Sequence, residues 1–230
     1  MDLHRALLHL PDLGVEGGHL MGKFNRICTA IGASCALFLL SGCVAQPQQV
    51  GGDRASNPKA FQTVTVSGQN VVVGGAAGYC LNNQRSRNTA DGAFLVLAPC
   101  AGDASDTTPM GLVLINVSAS EALQEALKTD EMDEFFRSTE GRTALSANGK
   151  SADVEILGTM ENDASYVVHS RDAAGPIIPD TSEDQWRMFF IVAERLVSIS
   201  VINFTDAPMP DGEIFRQMEE IANRIRSLNI

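Results

Sequence analysis

The last third of the chain has the clearest pattern of apolar and polar positions. Residues 185–192 and 196–204 are two apolar segments, and a short polar turn near Glu194 separates them. From Val197 to Val201, aliphatic residues alternate with serines, which is the two-residue period of a strand with one buried face. The pattern therefore predicts a β-hairpin.

A helical period follows this hairpin. After Pro210, apolar residues recur at alternating steps of four and three positions, which places them on one face of an α-helix; they are Ile214, Met218, Ile221, Ile225 and Leu228. Arg224 and Arg226 fall in the final turns, where positive charge suits the helix dipole. We therefore expect an amphipathic C-terminal helix that packs on the sheet.

The middle of the chain contains shorter segments of both kinds. Alternating or continuous apolar runs predict strands at 62–73, 93–98, 111–117, 154–160 and 166–171. Ser118 and Glu121 have the spacing of a capping box, which predicts a helix through Leu127, and Asp130 is expected to cap a second short helix through Phe136. Strands in hairpin-connected runs, with helices between and after them, predict an α+β domain with an antiparallel sheet.

The N-terminal region has the pattern of an export signal. Lys23 and Arg26 precede the uncharged segment 27–40, which is too short to cross ~30 Å of hydrocarbon as a helix. The segment leads into Leu40-Ser41-Gly42-Cys43, which resembles the lipobox of bacterial lipoproteins. In a lipobox a diacylglycerol is attached to the cysteine thiol before cleavage ahead of that residue. This resemblance implies that Cys43 is lipidated and becomes the first mature residue.

Four regions are therefore predicted. Residues 1–20 contain acidic residues and a proline that an export signal does not need, so we expect them to be an extension upstream of a true start at Met21. Residues 21–42 are the expected signal peptide. Residues 43–60, rich in Gln, Pro, Gly and Ser, are the expected flexible tether, with a span of about 20–25 Å. Residues 61–230 are expected to form a single globular domain.

Lipidation implies a location in the cell envelope, which is an oxidising compartment. Val44 follows the lipidated cysteine without an aspartate retention signal, and by resemblance to enterobacterial sorting this indicates the outer membrane, facing the periplasm. After processing, Cys80 and Cys100 remain as thiols, and one structural disulfide is the simplest expectation. The alternative is a redox-active or metal-binding pair, although neither cysteine lies in a C-x-x-C motif or near a histidine.

The segment Gly78–Asn82, the cysteine twenty residues after Cys80, the hairpin Trp186–Val201 and the closing helix form a recurring arrangement. It is similar to that of uncharacterised lipoproteins of alphaproteobacteria, and it also resembles the PsbP-like fold, named for an extrinsic subunit of photosystem II. The resemblance covers about residues 61–230. It implies a fold and carries over no functional residue.

Charge limits the classes of partner. The chain has 17 basic and 28 acidic residues, a net charge of −11, and residues 1–42 contribute equal numbers of both signs. Phosphate backbones repel such a domain, so nucleic acid is not expected as a partner.

Two glycine-containing segments invite a phosphate-binding interpretation. Residues 144–151, ALSANGKS, match a relaxed P-loop pattern, but the residues after Lys150 alternate like a strand, whereas a P-loop must open a helix. We predict a hairpin turn at Asn148-Gly149 and no nucleotide binding. Residues 74–78 lack the G-x-G-x-x-G order and are predicted to form a turn.

The remaining candidate chemistry is sparse. His169 is the single histidine of the mature chain; Ser170 points to the opposite strand face, whereas Asp172 and Ser165 stay open as partners. Acidic clusters at Asp103 and Asp106, at 130–134 and at 180–184 lack the spacing of a calcium loop. No catalytic residue, cofactor or metal site is predicted.

Two functions are therefore carried forward. The preferred hypothesis is a lipid-anchored envelope protein with a non-enzymatic binding or scaffolding role and an unknown envelope partner. The alternative is a periplasm-facing hydrolase or small-ligand-binding protein whose site is assembled only in three dimensions. A deep pocket that holds His169 would favour the alternative, whereas a flat apolar patch would favour the preferred hypothesis.

Overall fold

The computed structural model describes residues 61–100, 111–122, 127–162, 164–176 and 178–230. The predicted lipidation site Cys43, the signal peptide and the tether lie outside the described residues. The same holds for the acidic cluster at Asp103 and Asp106.

In the described residues, six strands precede two helices, and four further strands precede a third helix. In chain order the strands are β1 (Phe61–Val66), β2 (Gln69–Gly74), β3 (Tyr79–Leu81), β4 (Arg87–Thr89), β5 (Gly92–Pro99), β6 (Leu112–Glu121), β7 (Val154–Asn162), β8 (Ser165–Asp172), β9 (Asp184–Val192) and β10 (Arg195–Ile202). The helices are α1 (Thr129–Arg137), α2 (Thr139–Leu145) and α3 (Asp211–Leu228), and a short 3-10 helix (Ser151–Asp153) precedes β7.

Two antiparallel sheets are formed. Strands β1 and β2 pair as a separate hairpin. The large sheet has the order β3-β5-β6-β10-β9-β8-β7, and β4 also pairs with β5. Every described pairing in it is antiparallel. The predicted α+β class with an antiparallel sheet is confirmed.

Helix α3 covers one face of the large sheet, which we call the α3 face. Its stripe packs on the centre of the sheet and on the β1–β2 hairpin, and Ile214, Met218, Ile221 and Ile225 are at most 2% exposed. Leu228, the last residue of the stripe, is 45% exposed because it lies at the end of the helix. The expected packing of the closing helix is confirmed.

Polar contacts fix the C-terminal end of α3. The Asn229 side chain accepts a hydrogen bond from the Val72 N–H and donates one to the Val72 carbonyl, both at 2.8 Å, so its amide imitates one rung of a β-ladder on β2. Arg226 lies over the Phe190 ring and donates to the Ala164 carbonyl at 2.7 Å. The helix therefore holds both the small hairpin and the turn between β7 and β8.

Helices α1 and α2 cover part of the opposite face, which we call the α1 face. The Phe136 ring stacks on Tyr166 and contacts Phe189, with ring centroids 5.8 and 5.0 Å away. The Tyr166 hydroxyl donates to the Asp133 carboxylate, which ties α1 to β8. Burial raises the pKa of Tyr166 above its ordinary range, and the hydrogen bond to Asp133 adds a smaller increase, so the phenol stays protonated.

The junction between α1 and α2 depends on two residues. Ser138 ends the first helix and caps the second, because its hydroxyl accepts the Gly141 N–H at 3.1 Å. A side chain at Gly141 would meet the Phe135 carbonyl, so only glycine allows this close approach of the two helices.

The predicted disulfide is present. Cys80 and Cys100 are bonded, and they connect β3 to the end of β5. The backbone supports the same contact, because the Cys100 N–H donates to the Gly78 carbonyl at 2.8 Å. Within the chain-entropy account, closing this loop contributes roughly 3 kcal/mol.

Several sequence predictions need correction. The single strand at 62–73 is a hairpin, because Ser67 and Gly68 have positive φ angles and reverse the chain. The prediction of a helix that starts at Ser118 is wrong, because β6 continues to Glu121. Pairing of β6 with β10 overrides the capping-box spacing of Ser118 and Glu121. Residues 123–126 of that segment lie outside the described residues.

The strand after β9 also ends earlier than its apolar pattern. Strand β10 stops at Ile202, and Phe204 instead forms isolated bridges with Thr181 and Ala207. Short strands β3 and β4 were not anticipated, because three residues are too few to display a period.

We expect Ile221→Asp to destabilise the domain by about 4 kcal/mol or more, or to prevent folding, because the carboxylate would be buried without a partner. The matched control Asn223→Asp adds the same carboxylate to the exposed side of α3 and should change stability by less than about 0.5 kcal/mol. Thermal unfolding followed by circular dichroism measures both. Equal melting temperatures for the two variants would contradict this packing.

Candidate functional site

His169 lies on the α3 face of β8. Trp186 is its direct cross-strand neighbour on β9, and the two rings stack with centroids 4.1 Å apart and planes 11° apart. Gly158 is its neighbour on β7, and a side chain there would meet no atom within 4 Å. The imidazole therefore has an aromatic ring on one side and open space on the other.

Burial lowers the pKa of His169 below its ordinary value of 6.5. The carboxylates of Asp211 and Asp184 act in the opposite direction with smaller effect, and the Arg171 guanidinium adds to the lowering. The imidazole is therefore neutral at neutral pH.

No hydrolase triad forms around this histidine among the described residues. Ser170 and Asp172 lie on the α1 face, since adjacent and third residues of a strand point to the opposite side. The buried Asp172 carboxylate accepts the N–H groups of Ala147 and Ala174 at 2.6 and 3.0 Å, which is a structural role. Ser165 shares the face of His169 but is four residues away, about 13 Å along the strand. The fold therefore places neither Asp172 nor Ser165 beside the imidazole.

The ALSANGKS segment does not have the geometry of a P-loop. It covers the end of α2 and a turn, and the short 3-10 helix and β7 follow instead of an α-helix. Ser146 Oγ and Asn148 Oδ1 both accept the Lys150 N–H, at 3.2 and 2.9 Å, so the turn uses an amide that a phosphate would need. The predicted turn at Asn148-Gly149 exists, but it joins α2 to the 3-10 helix and not two strands.

The second glycine segment also has a structural explanation. A side chain at Gly75 would come within 2.7 Å of Leu97 Cδ2 and 2.9 Å of Tyr79 Cβ. Gly78 has a φ of 83°, a conformation that favours glycine. The predicted turn is confirmed, and close packing on β3 and β5 accounts for these glycines.

The acidic clusters serve the fold where the structure describes them. Asp130, which we expected to cap α1, instead lies with Glu131 in its first turn after the N-cap residue Lys128, where negative charge suits the helix dipole. Asp184 pairs with Arg171, with the Oδ1 to Nε distance at 2.6 Å. Across the described ranges, no group of three or more His, Cys, Asp or Glu side chains is arranged to hold a metal ion.

A pocket of about 250 Å³ lies beside the His169 region, at the edge of the α3 face. Met160 and Glu161 of β7, Val167 of β8 and Phe215 of α3 line it, and it is open to solvent on one side. Val167 is two residues before His169 on the same strand face, but His169 does not line the pocket. We call this feature the edge pocket.

The strand beside the edge pocket is the last strand of the sheet. In the part of the chain that the structure describes, β7 pairs with β8 alone, so its outer edge has no strand partner. The register shifts between Ile156 and Gly158, which marks a bulge, and the exposed Leu157 lies in it. Met160, after the bulge, is 42% exposed.

The edge pocket thus combines a partly exposed apolar lining with an available strand edge. This arrangement suits the binding of an extended segment, which can pair with a strand edge and place a side chain in a neighbouring pocket. It offers no nucleophile and base in contact, so acid–base or nucleophilic chemistry has no support from these residues.

Neither Met160 nor Phe215 was predicted as a site residue from the sequence. Phe215 directly follows Ile214, one residue off the buried stripe of α3, and is half-buried. The sequence did contain one indication of this site, namely a large apolar residue just outside the buried stripe of α3. Its meaning depends on how much of the sheet the helix covers, and the sequence does not show this.

The comparisons with known proteins give no family. The sequence matches no family model and no curated protein. Among solved structures, a mutant of protein Mog1 aligns over 74% of this chain and 89% of its own length, with 13% identity and a TM-score of 0.33. At that TM-score we infer neither fold nor function from the similarity.

We expect acidification from about pH 7 to about pH 5 to lower the melting temperature of the natural protein more than that of His169→Phe. The folded-state pKa lies below the unfolded value of about 6.5, so the unfolded state binds more protons once the pH falls below that value. This contribution to stability is complete above about pH 6.5 and is lost toward the folded-state pKa. Phenylalanine keeps a ring against Trp186 without titrating.

Thermal unfolding of both proteins at both pH values makes the comparison, and groups common to the two cancel in the difference. An identical pH dependence would contradict the assigned environment of His169.

Proposed function

We propose that this protein is an envelope lipoprotein, anchored through Cys43, whose domain binds an extended basic segment of another envelope protein along β7. The export pattern and the lipobox resemblance support the anchor. The edge pocket carries the binding proposal. In the described part of the chain, no helix is long and apolar enough to cross a membrane.

The backbone of β7 supports an extended ligand. Residues 158–162 follow the bulge and continue to pair regularly with β8, so their outer side presents a short run of peptide groups. A segment that pairs there places alternate side chains toward the α3 face, beside Met160 and Phe215. The half-open pocket of about 250 Å³ has room for one apolar side chain.

Charge supports a basic ligand. Glu155 and Glu161 on β7 are exposed, and the chain as a whole has a net charge of −11. Acidic residues on an edge strand also discourage pairing between two copies of the same chain, because like charges would meet. A segment with Lys or Arg beside an apolar residue is therefore the complementary ligand.

The anchor predicts a clear effect of Cys43→Ser. This variant should accumulate as an unprocessed precursor without lipid, because the modified thiol is required before cleavage. Metabolic labelling with a fatty acid and mass spectrometry of the N-terminus measure the outcome. Cleavage at the same bond together with continued partition into membranes would show that the lipobox interpretation is wrong.

Photo-crosslinking in cells tests the binding surface. With a benzophenone amino acid in place of Met160, we expect crosslinks to one segment that contains apolar and basic residues. The same replacement at the exposed Asn88 on β4, at the other end of the sheet, is the matched control and should not give this product. Mass spectrometry identifies the crosslinked peptide.

Charge-reversal variants test whether the acidic residues of β7 contribute to binding. Glu155→Lys combined with Glu161→Lys should reduce the crosslink from position 160, whereas Glu220→Lys on the exposed side of α3 should leave it unchanged. Crosslinks to a second copy of this chain, or equal products from positions 160 and 88, would overturn the proposed partner.

A further inference from the structure

The row of side chains through His169 on the α3 face has a gap over Gly158. Trp186, His169 and Gly158 follow one another across β9, β8 and β7 as direct cross-strand neighbours. The two rings stack with planes 11° apart, so the imidazole presents its second face toward β7. Glycine places no side chain against that face, and a Cβ at Gly158 would meet no atom within 4 Å. We call this open space the Gly158 gap.

The Gly158 gap is accessible from solvent. Gly158, His169 and Trp186 are all partly exposed, and Met160, the next residue of β7 on this face, is 42% exposed. Because β7 is the last strand of the large sheet, no described strand closes the gap on its outer side. The gap adjoins the edge pocket through Met160. A group that reaches the edge strand can therefore also reach the imidazole.

The fold itself does not require glycine at this position. Gly158 does not have a positive φ angle, and a side chain there would not be crowded. The adjoining bulge does not need it either, because a bulge favours glycine only where φ is positive. Glycine within a strand weakens the strand and often marks a place where another group approaches closely. The open space is therefore more consistent with an incoming side chain than with a backbone constraint.

We propose that the segment bound along β7 places an aromatic side chain in the Gly158 gap, where its ring contacts the free face of the His169 imidazole. This inference rests on the binding of an extended segment proposed above. A residue paired opposite Gly158 lies two strand spacings, about 9.6 Å, from His169. An aromatic ring can lean across a glycine on an edge strand and cover it, whereas a short aliphatic side chain does not extend as far.

The charges around the gap suit the same basic segment. The carboxylates of Asp184 and Asp211 and the guanidinium of Arg171 all act on His169. Arg171 pairs with Asp184, so the Asp211 carboxylate in the exposed first turn of α3 gives these surroundings a net negative charge. A lysine or arginine close to the aromatic residue of the segment complements that charge.

A palindromic peptide, acetyl-Lys-Leu-Thr-Phe-Thr-Leu-Lys-amide, tests the gap because it presents the same side chains in both strand directions. Fluorescence anisotropy of the dye-labelled peptide with the full-length protein in a non-ionic detergent measures its affinity. We expect it to bind at least about threefold more tightly than the same peptide with cyclohexylalanine at its centre, which has similar size but no aromatic ring. Emission from Trp186, the only tryptophan of the chain, should change when the phenylalanine peptide binds.

Two variants locate the contact. Gly158→Val fills the gap with a residue that strands favour, so it should remove the preference for phenylalanine without lowering the melting temperature. His169→Leu removes the stacking ring at similar size and should remove the preference as well. The matched control Asn88→Val adds valine to the exposed β4 and should retain it.

The outcomes separate this inference from the binding of the segment itself. Equal affinity for the two peptides, or a preference that survives both Gly158→Val and His169→Leu, would overturn the aromatic contact and leave pairing along β7 intact. If neither peptide binds, pairing along β7 is overturned and the aromatic contact with it. A large decrease in the melting temperature of Gly158→Val would show that the fold requires glycine there, which would also overturn the inference.

Discussion

Helix α3 buries a stripe of aliphatic side chains between the large sheet and the β1–β2 hairpin, and this contact joins the two sheets to the C-terminal end of the chain. The hairpin does not pair with the large sheet, so its buried valines depend on α3 and the sheet face for cover. Asn229 extends the contact with two hydrogen bonds to Val72. Burial of one stripe therefore holds together the small sheet, the large sheet and the C-terminus.

The coverage that α3 provides is incomplete, and this creates the edge pocket. One helix is about 10 Å wide, whereas the large sheet has eight strands that lie about 4.8 Å apart. Helix α3 packs mainly on the centre, so the outer part of the α3 face at Met160 of β7 stays accessible. Phe215 reaches toward that side from the margin of the buried stripe, and Met160 faces it from the edge strand. An apolar margin is a geometric consequence of covering a broad sheet with one helix.

Periodicity predicted the parts of the fold in which one side of an element is buried along its whole length. Helix α3 is such an element. In β10 the predicted face is buried, but Ser198 and Ser200 on the other face are buried as well, so the expected half-buried strand is buried on both sides. The disulfide between Cys80 and Cys100 followed from the cysteine count. Periodicity failed at Ser67, where a non-glycine residue with positive φ reverses the chain, and at Ser118, where pairing with β10 extends a strand through a helix-capping pattern. Arg187 interrupts an apolar strand in the sequence, and its hydrogen bond to Ser200 depends on the register between β9 and β10, which a sequence pattern does not contain.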